Sequence, residues 1–296
     1  MTLPESLGLI RHAFRDWQAD SAPRLGAALS YYTLFSLAPL LIVAIGVAGL
    51  VFGQDAAQGR IVAELRGLVG PLGAEAVEEL IKNSRRPEAG VLATMVGVAT
   101  LFLGATGVFV ELKSTLDLVW DVEPPSGGLW GMVRSRLWAF ALVLAVGFLL
   151  LVSLLVSAAI AATDTILASF VSEPSAILHA VNTALSLVVI TVLFALIFKY
   201  LPDTEVLWSD VWIGAAFTSA LFTLGKFVIG LYLGHSTVSS VYGAAGSVVV
   251  LMVWVYYAAQ IFFFGAELTQ AYARRHGSWR ERPRLAPKGA LRPSPA

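Results

Sequence analysis

Six apolar stretches of 21 to 26 residues constrain this chain more than any other feature of it. They run Leu29–Phe52, Gly90–Val110, Leu137–Ala162, Ile177–Phe198, Trp208–Leu233 and Val241–Ala266. A helix needs about 20 residues to cross a hydrocarbon core roughly 30 Å thick. Four of the six contain neither a charged residue nor a histidine. Their apolar character is continuous rather than alternating, which selects helices over barrel strands. Only 14 % of the 296 residues are charged and the mean hydropathy is +0.76, where a soluble domain carries about 25 % charged residues. That leaves too little polar material to cover a water-facing surface. The expected fold is an all-α membrane protein, a six-transmembrane-helix bundle filling one membrane domain over residues 29–273.

The segments flanking the spans have their own periodicities. Leu3, Leu7, Ile10, Phe14 and Trp17 recur at helical spacing, with Arg11, Arg15 and Asp16 off that face. Residues 1–28 therefore read as a cytoplasmic amphipathic helix lying on the membrane surface. The first 24 residues lack the short apolar core and small-residue cleavage site of a removable signal peptide. The loop Gly53–Ala89 is too long for a plain turn. Ile61, Leu65, Leu68 and Leu72 form one apolar face, and Val77, Leu80 and Ile81 a second one beyond Gly70–Pro71. Two short amphipathic helices forming an extracytoplasmic cap are expected there. The tail 274–296, rich in Pro and Arg without periodicity, is expected to be disordered.

Orientation follows from the positive-inside rule. The N-terminal stretch, the second connection, Lys199 and the tail hold fourteen Lys and Arg between them, against five in the 53–89 loop. Both termini are expected in the cytoplasm. Trp138, Tyr200, Trp208 and Trp212 fall at inner ends of spans, and Tyr232 and Tyr242 at outer ends, as interfacial anchors do.

Ionisable groups inside spans are the best functional pointers a membrane sequence offers. Lys226 lies seven residues from the outer end of the fifth span, about 10 Å at helical rise. Snorkelling to the interface is the competing explanation. Ala215, Ser219, Thr223, Lys226 and Gly230 form one lane of small and polar residues, which fits close helix packing as well as a substrate path. Ser219, Thr223 and Lys226 are the candidate transport or anion site. In the first span Tyr32, Ser36 and Pro39 share a face, and Pro39 marks a candidate helix break of the kind transporters use. Glu111, Lys113, Lys199 and Glu267 fall at inner span ends, where ion pairs would lock helices together. Asp117 and Asp121 would solvate an amphipathic exit from the membrane.

Some chemistry is excluded. Without cysteines there are no disulfides or thiolate metal sites. Four scattered histidines offer no metal-ligand spacing, and no phosphate-binding glycine loop is present. No cofactor and no metal are expected. Trp279 among five arginines could suggest RNA, but a juxtamembrane basic cluster more simply attracts anionic lipid. The expected partners are membrane lipids, with anionic lipid at the basic tail, and not nucleic acid. A homo-oligomer is allowed and not required.

The stretch Ala27-Ala28-Leu29-Ser30-Tyr31-Tyr32-Thr33-Leu34-Phe35-Ser36-Leu37-Ala38-Pro39-Leu40 resembles the opening span of the YihY/BrkB family of bacterial inner-membrane proteins. Further matches are Gly107-Val108-Phe109, Leu116 to Trp120, Tyr200-Leu201-Pro202-Asp203, Gly225-Lys226, Gly230-Leu231-Tyr232, Val241-Tyr242-Gly243-Ala244 and Phe264-Gly265-Ala266-Glu267-Leu268. The resemblance implies a six-helix protein of the bacterial inner membrane, in a family linked by name to virulence and without a settled activity. Members have also carried the label ribonuclease BN, which the scattered histidines do not support. The functional expectation is transport or translocation of a solute or lipid-linked molecule, without covalent catalysis. A membrane scaffold for envelope integrity is the alternative, and an RNA-processing enzyme the third reading.

Overall fold

The computed structural model describes residues 3–84, 107–122, 175–235 and 246–280, and the elements among them are helices. They are α1 (Leu3–Ala19), α2 (Ala22–Phe52), α3 (Gln54–Ser84), α4 (107–119), α5 (Ser175–Tyr200), α6 (Trp208–His235) and α7 (Gly246–Arg275). Most of the expected second span (90–106), the whole third span (137–162) and residues 281–296 lie outside the described residues.

Among the described residues, two helices are long and apolar enough to cross a membrane. Trp208–Tyr232 has a mean hydropathy of 1.5 and Val248–Arg275 of 2.0. The buried shares of their most apolar windows are only 33 % and 39 %. A core helix of a soluble protein buries most of its apolar surface, whereas the first of these exposes side chains such as Leu224, Phe227 and Leu231. Apolar surface of that extent calls for a lipid environment.

Among the described helices, α6 and α7 pack most extensively on each other. A Cβ placed on Gly214 of α6 would stand 1.7 Å from Thr269 Oγ1, and one placed on Gly265 of α7 would stand 1.9 Å from Thr218 Oγ1. Thr218 Oγ1 donates to Gly214 O and Thr269 Oγ1 to Gly265 O, each at 2.7 Å. Each helix thus carries the same Gly-x-x-x-Thr unit, and each threonine fills the notch left by the other helix's glycine. This is small-residue packing that lets two backbones approach closely. Around it, Phe194 and Phe198 of α5, Phe222 of α6 and Phe262 of α7 interlock, with ring centroids 5.1 to 6.2 Å apart, a spacing favourable for aromatic pairs.

The expected break in the first span is absent. α2 is helical through residue 39, and Ser36 Oγ donates to Thr33 O at 3.1 Å. Proline removes one backbone donor, and a packed membrane helix tolerates that loss without unwinding. Tyr32 serves packing instead: a Cβ on Gly107 would stand 2.6 Å from its ring, so the first residue described in α4 lies against it.

The cap region also differs from expectation. Gly53, at φ +81°, turns the chain into α3, which is helical throughout its 31 residues. Yet Arg66 acts electrostatically on Glu78, and the two line one cleft of about 420 Å³. A straight helix would hold residues twelve apart at about 18 Å, so α3 bends between them, in the stretch containing Gly70 and Pro71. Two limbs of one helix stand where two separate helices were expected. Ile61 and Val62 from one limb and Ala76, Val77 and Ile81 from the other pack with Ile45, Leu34 and Leu37 of α2 and Leu251 and Val255 of α7.

Candidate functional site

The lysine lane lies on α6 and divides into two halves. Toward the start of the helix, Ala215 and Ser219 are buried, and Ser219 Oγ lies 2.7 Å from Thr191 Oγ1 of α5. That hydrogen bond closes the lane by helix packing. Thr223 Oγ1 donates a hydrogen bond to Ser219 O at 2.8 Å. Beyond it Lys226 is half-buried, its Nζ 5.7 Å from the Phe227 ring centroid, within range of a cation–π contact. Among the described residues, no atom comes within 4 Å of a Cβ built on Gly230. Ser219, Thr223 and Lys226 all lie on α6, and Ser219 belongs to the α5–α6 seam.

At the opposite end, where both terminal segments gather, the inner-face ion pairs differ from those expected. Lys113 Nζ bonds Asp117 Oδ2 at 2.7 Å and also pairs with Asp203, not with Glu267. Lys199 Nζ donates to Val206 O at 2.5 Å, across the turn that follows α5. Both lysines reach the 201–206 turn, which follows α5 directly and carries the nearest available acceptors. Glu267 instead faces acids: its side chain bonds that of Asp20, and Asp16 and Asp121 also act on it. Two carboxyl groups joined by a hydrogen bond need a proton between them. Glu111 is half-buried; burial pushes its carboxyl above the usual range, and Arg24 draws it partly back.

Asp117 and Asp121 clamp elements together where solvation was expected. Asp117 is buried, and its Oδ1 accepts the Asp203 backbone N–H at 2.7 Å. Asp121, in the left-handed region at φ +50°, accepts from Gln270 Nε2 at 3.3 Å and Arg274 Nη2 at 2.6 Å. The beginning of the expected disordered tail is likewise packed. Trp279 is buried edge-on to Trp120, with centroids 5.0 Å apart, and its Nε1 donates to Glu205 O at 3.3 Å.

The residue that sequence reasoning missed is Asp210. It sits in the first turn of α6, where a carboxylate suits the helix dipole. Its side chain accepts from Ser278 N at 3.0 Å, Ser278 Oγ at 2.7 Å and Ser209 Oγ at 3.3 Å. A Cβ on Gly277 would fall 2.3 Å from its Oδ1, so the turn after α7 needs glycine there. An aspartate opening an otherwise apolar span was the available signal. Three of the stretches that carry the family resemblance, 116–120, 200–203 and 264–268, supply residues to this end of the bundle.

The sequence profile described as Virulence factor BrkB matches residues 13–290. The chain belongs to the BrkB family. Its relatives include UPF0761 membrane proteins of Rhodospirillum centenum (25 % identical, covering 90 % of this chain and 58 % of the relative) and Azotobacter vinelandii (28 %, covering 94 % and 66 %). Another, from Pseudomonas aeruginosa, is 30 % identical over 84 % of this chain and 59 % of its own length. The chain spans about three fifths of the length of the curated relatives it matches. No solved structure matches it. Family and apolar helices agree that this is a membrane protein. None of the expected functional roles follows from these names.

Proposed function

We propose that this BrkB-family protein is a multi-pass transporter or translocator of the bacterial inner membrane, with six spans and both termini cytoplasmic. On this reading the α6 lane is its path. The observation that supports the reading is the division of that lane, shut by the Ser219–Thr191 bond and without a described neighbour within 4 Å of a Cβ on Gly230, one turn beyond Lys226. A lysine so placed would attract the anionic group of a solute or lipid-linked molecule entering from the outer side. The scaffold alternative called for an exposed apolar patch on the 53–89 loop. Ile61, Val62, Val77 and Ile81 of α3 pack with α2 and α7, so none of these four contributes to such a patch.

The chain has no cysteine, so single cysteines test the path directly without knowledge of the substrate. In intact cells, Lys226→Cys and Thr223→Cys should react quickly with a charged, membrane-impermeant thiol reagent. Ser219→Cys should react at least tenfold more slowly, and the exposed apolar neighbour Phe227→Cys should stay unreacted in lipid. Equal protection at all four positions would mean that Lys226 only snorkels, and the path would be lost. The same reagent checks orientation: cysteines in Gly53–Ala89, Thr163–Ala176 and Gly234–Ser240 should label from outside, whereas labelling at Ser294 would overturn the scheme.

A further inference from the structure

A second cleft, of about 510 Å³, opens at the end of the bundle where α1 meets the C-terminal end of α7. It is a different place from the α6 lane and does not depend on the transport reading. Its polar walls are His12, Arg274, Arg275 and Arg280, and Leu9, Ala271 and Trp279 supply apolar surface. Docking makes the cleft. Leu9 and Ala13 of α1 are buried with Leu268 and Ala271 of α7, which brings His12 beside the arginines at the helix end. Gly8 lets the Arg275 guanidinium rest on α1, since a Cβ there would lie 3.1 Å from its Nη1.

The side chain of Arg274 is only 10 % exposed and is aligned from two sides. Asp121 takes its Nη2 at 2.6 Å, and its guanidinium carbon lies 5.4 Å from the Trp279 ring centroid. Its Nε–H is buried and has no acceptor among the described residues. A buried guanidinium donor without an acceptor is costly and is suited to an incoming anion. Neither Arg275 nor Arg280 forms an ion pair with a described carboxylate. Of the lining residues, His12 pairs with Asp16 and Arg274 with Asp121.

We propose that this cleft binds a phosphate ester, its phosphate held by Arg274, Arg275 and Arg280 and its organic part against Leu9 and Trp279. Planar forked guanidinium groups match phosphate oxygens two at a time. The volume exceeds what an inorganic ion fills and lies in the range of small-molecule sites. Two sources share this chemistry, the headgroup of an anionic phospholipid and a water-soluble phosphate ester.

The test is calorimetric titration of the whole protein in neutral detergent with glycerol 3-phosphate and with phosphatidylglycerol in mixed micelles. Glycerol and phosphatidylcholine serve as uncharged and zwitterionic controls. At least one phosphate probe should bind saturably. Binding of phosphatidylglycerol alone would assign the site to lipid, and binding of glycerol 3-phosphate as well would assign it to soluble esters; both support the site. Arg275→Ala with Arg280→Ala should weaken binding at least tenfold, whereas Arg11→Ala with Arg15→Ala, on the exposed part of α1, should change it less than twofold. Equal losses in the two double variants would reduce the effect to diffuse charge and overturn the proposal. So would the absence of any preference for the phosphate probes over their controls.

Discussion

Gly265→Ala is expected to destabilise the folded bundle by about 1–3 kcal/mol or more, although it adds a single methyl group. The added Cβ would sit 1.9 Å from Thr218 Oγ1, 2.8 Å from Cγ2 and 2.9 Å from Cβ, so no single atom can give way. Thr218 cannot rotate aside at small cost. It is β-branched, and its hydroxyl is committed to Gly214 O at 2.7 Å. The backbones would have to separate, and with them the aromatic layer of Phe194, Phe222 and Phe262. Gly214→Ala should behave alike, because Thr269 presents the same obstacle at 1.7, 2.7 and 3.0 Å. The double alanine variant should leave little folded protein. The measurement is the thermal midpoint of detergent-solubilised protein followed by size-exclusion chromatography. Combining Gly265→Ala with Thr218→Gly removes the obstructing side chain and should recover part of the loss, a coupling that a double-mutant cycle reads. Full additivity of those two changes would mean that the Gly–Thr notches do not set the α6–α7 distance.

The second large effect is expected at Asp210. The residue is 1 % exposed and accepts three hydrogen bonds, two of them from Ser278. Asp210→Ala leaves the Ser278 N–H without its acceptor and removes a carboxylate from a helix N-terminus. Hydrogen bonds to a charged group contribute roughly 1.5–3 kcal/mol each, so the loss should exceed about 2 kcal/mol. The consequence is local first. The 276–280 turn should come away from the α6 N-terminus, freeing Trp279 from Trp120 and Glu205. Limited proteolysis after Arg274, Arg275 or Arg280 should accelerate in Asp210→Ala, and Asp210→Asn should fall between it and the parent. An unchanged cleavage rate in Asp210→Ala would show that Trp279 packing holds the turn without the carboxylate.

The contrast between these residues and those the sequence singled out follows from what each kind of signal reports. The helical, lipid-adapted character of α6 and α7 was legible in continuous apolar runs, because burying a helix in lipid needs only local composition. The amphipathic α1 was legible for the same reason, although the structure docks it by Leu9 and Ala13 and leaves Leu7, Ile10 and Phe14 outward. The lane of Ser219, Thr223 and Lys226 could be placed because helical spacing alone sets which residues share a face. Family membership was likewise legible, in short stretches scattered over the chain.

Partner choice was not legible. Lys113 had Glu267 as a plausible counter-ion by depth alone, yet it bonds Asp117 and Asp203, and Glu267 lies among acids instead. Depth is one coordinate, and an ion pair needs three; the azimuth and crossing of the helices supply the other two. Pro39 suggested a break that α2 does not make, since a helix can lose one backbone donor without unwinding. Gly214 and Gly265 looked like ordinary small residues until the crossing of α6 and α7 put a threonine against each. Sequence by itself determined which segments are apolar helices and which faces they present. Only the tertiary structure decided which face meets which, because contacts between distant segments depend on close packing that no local pattern encodes.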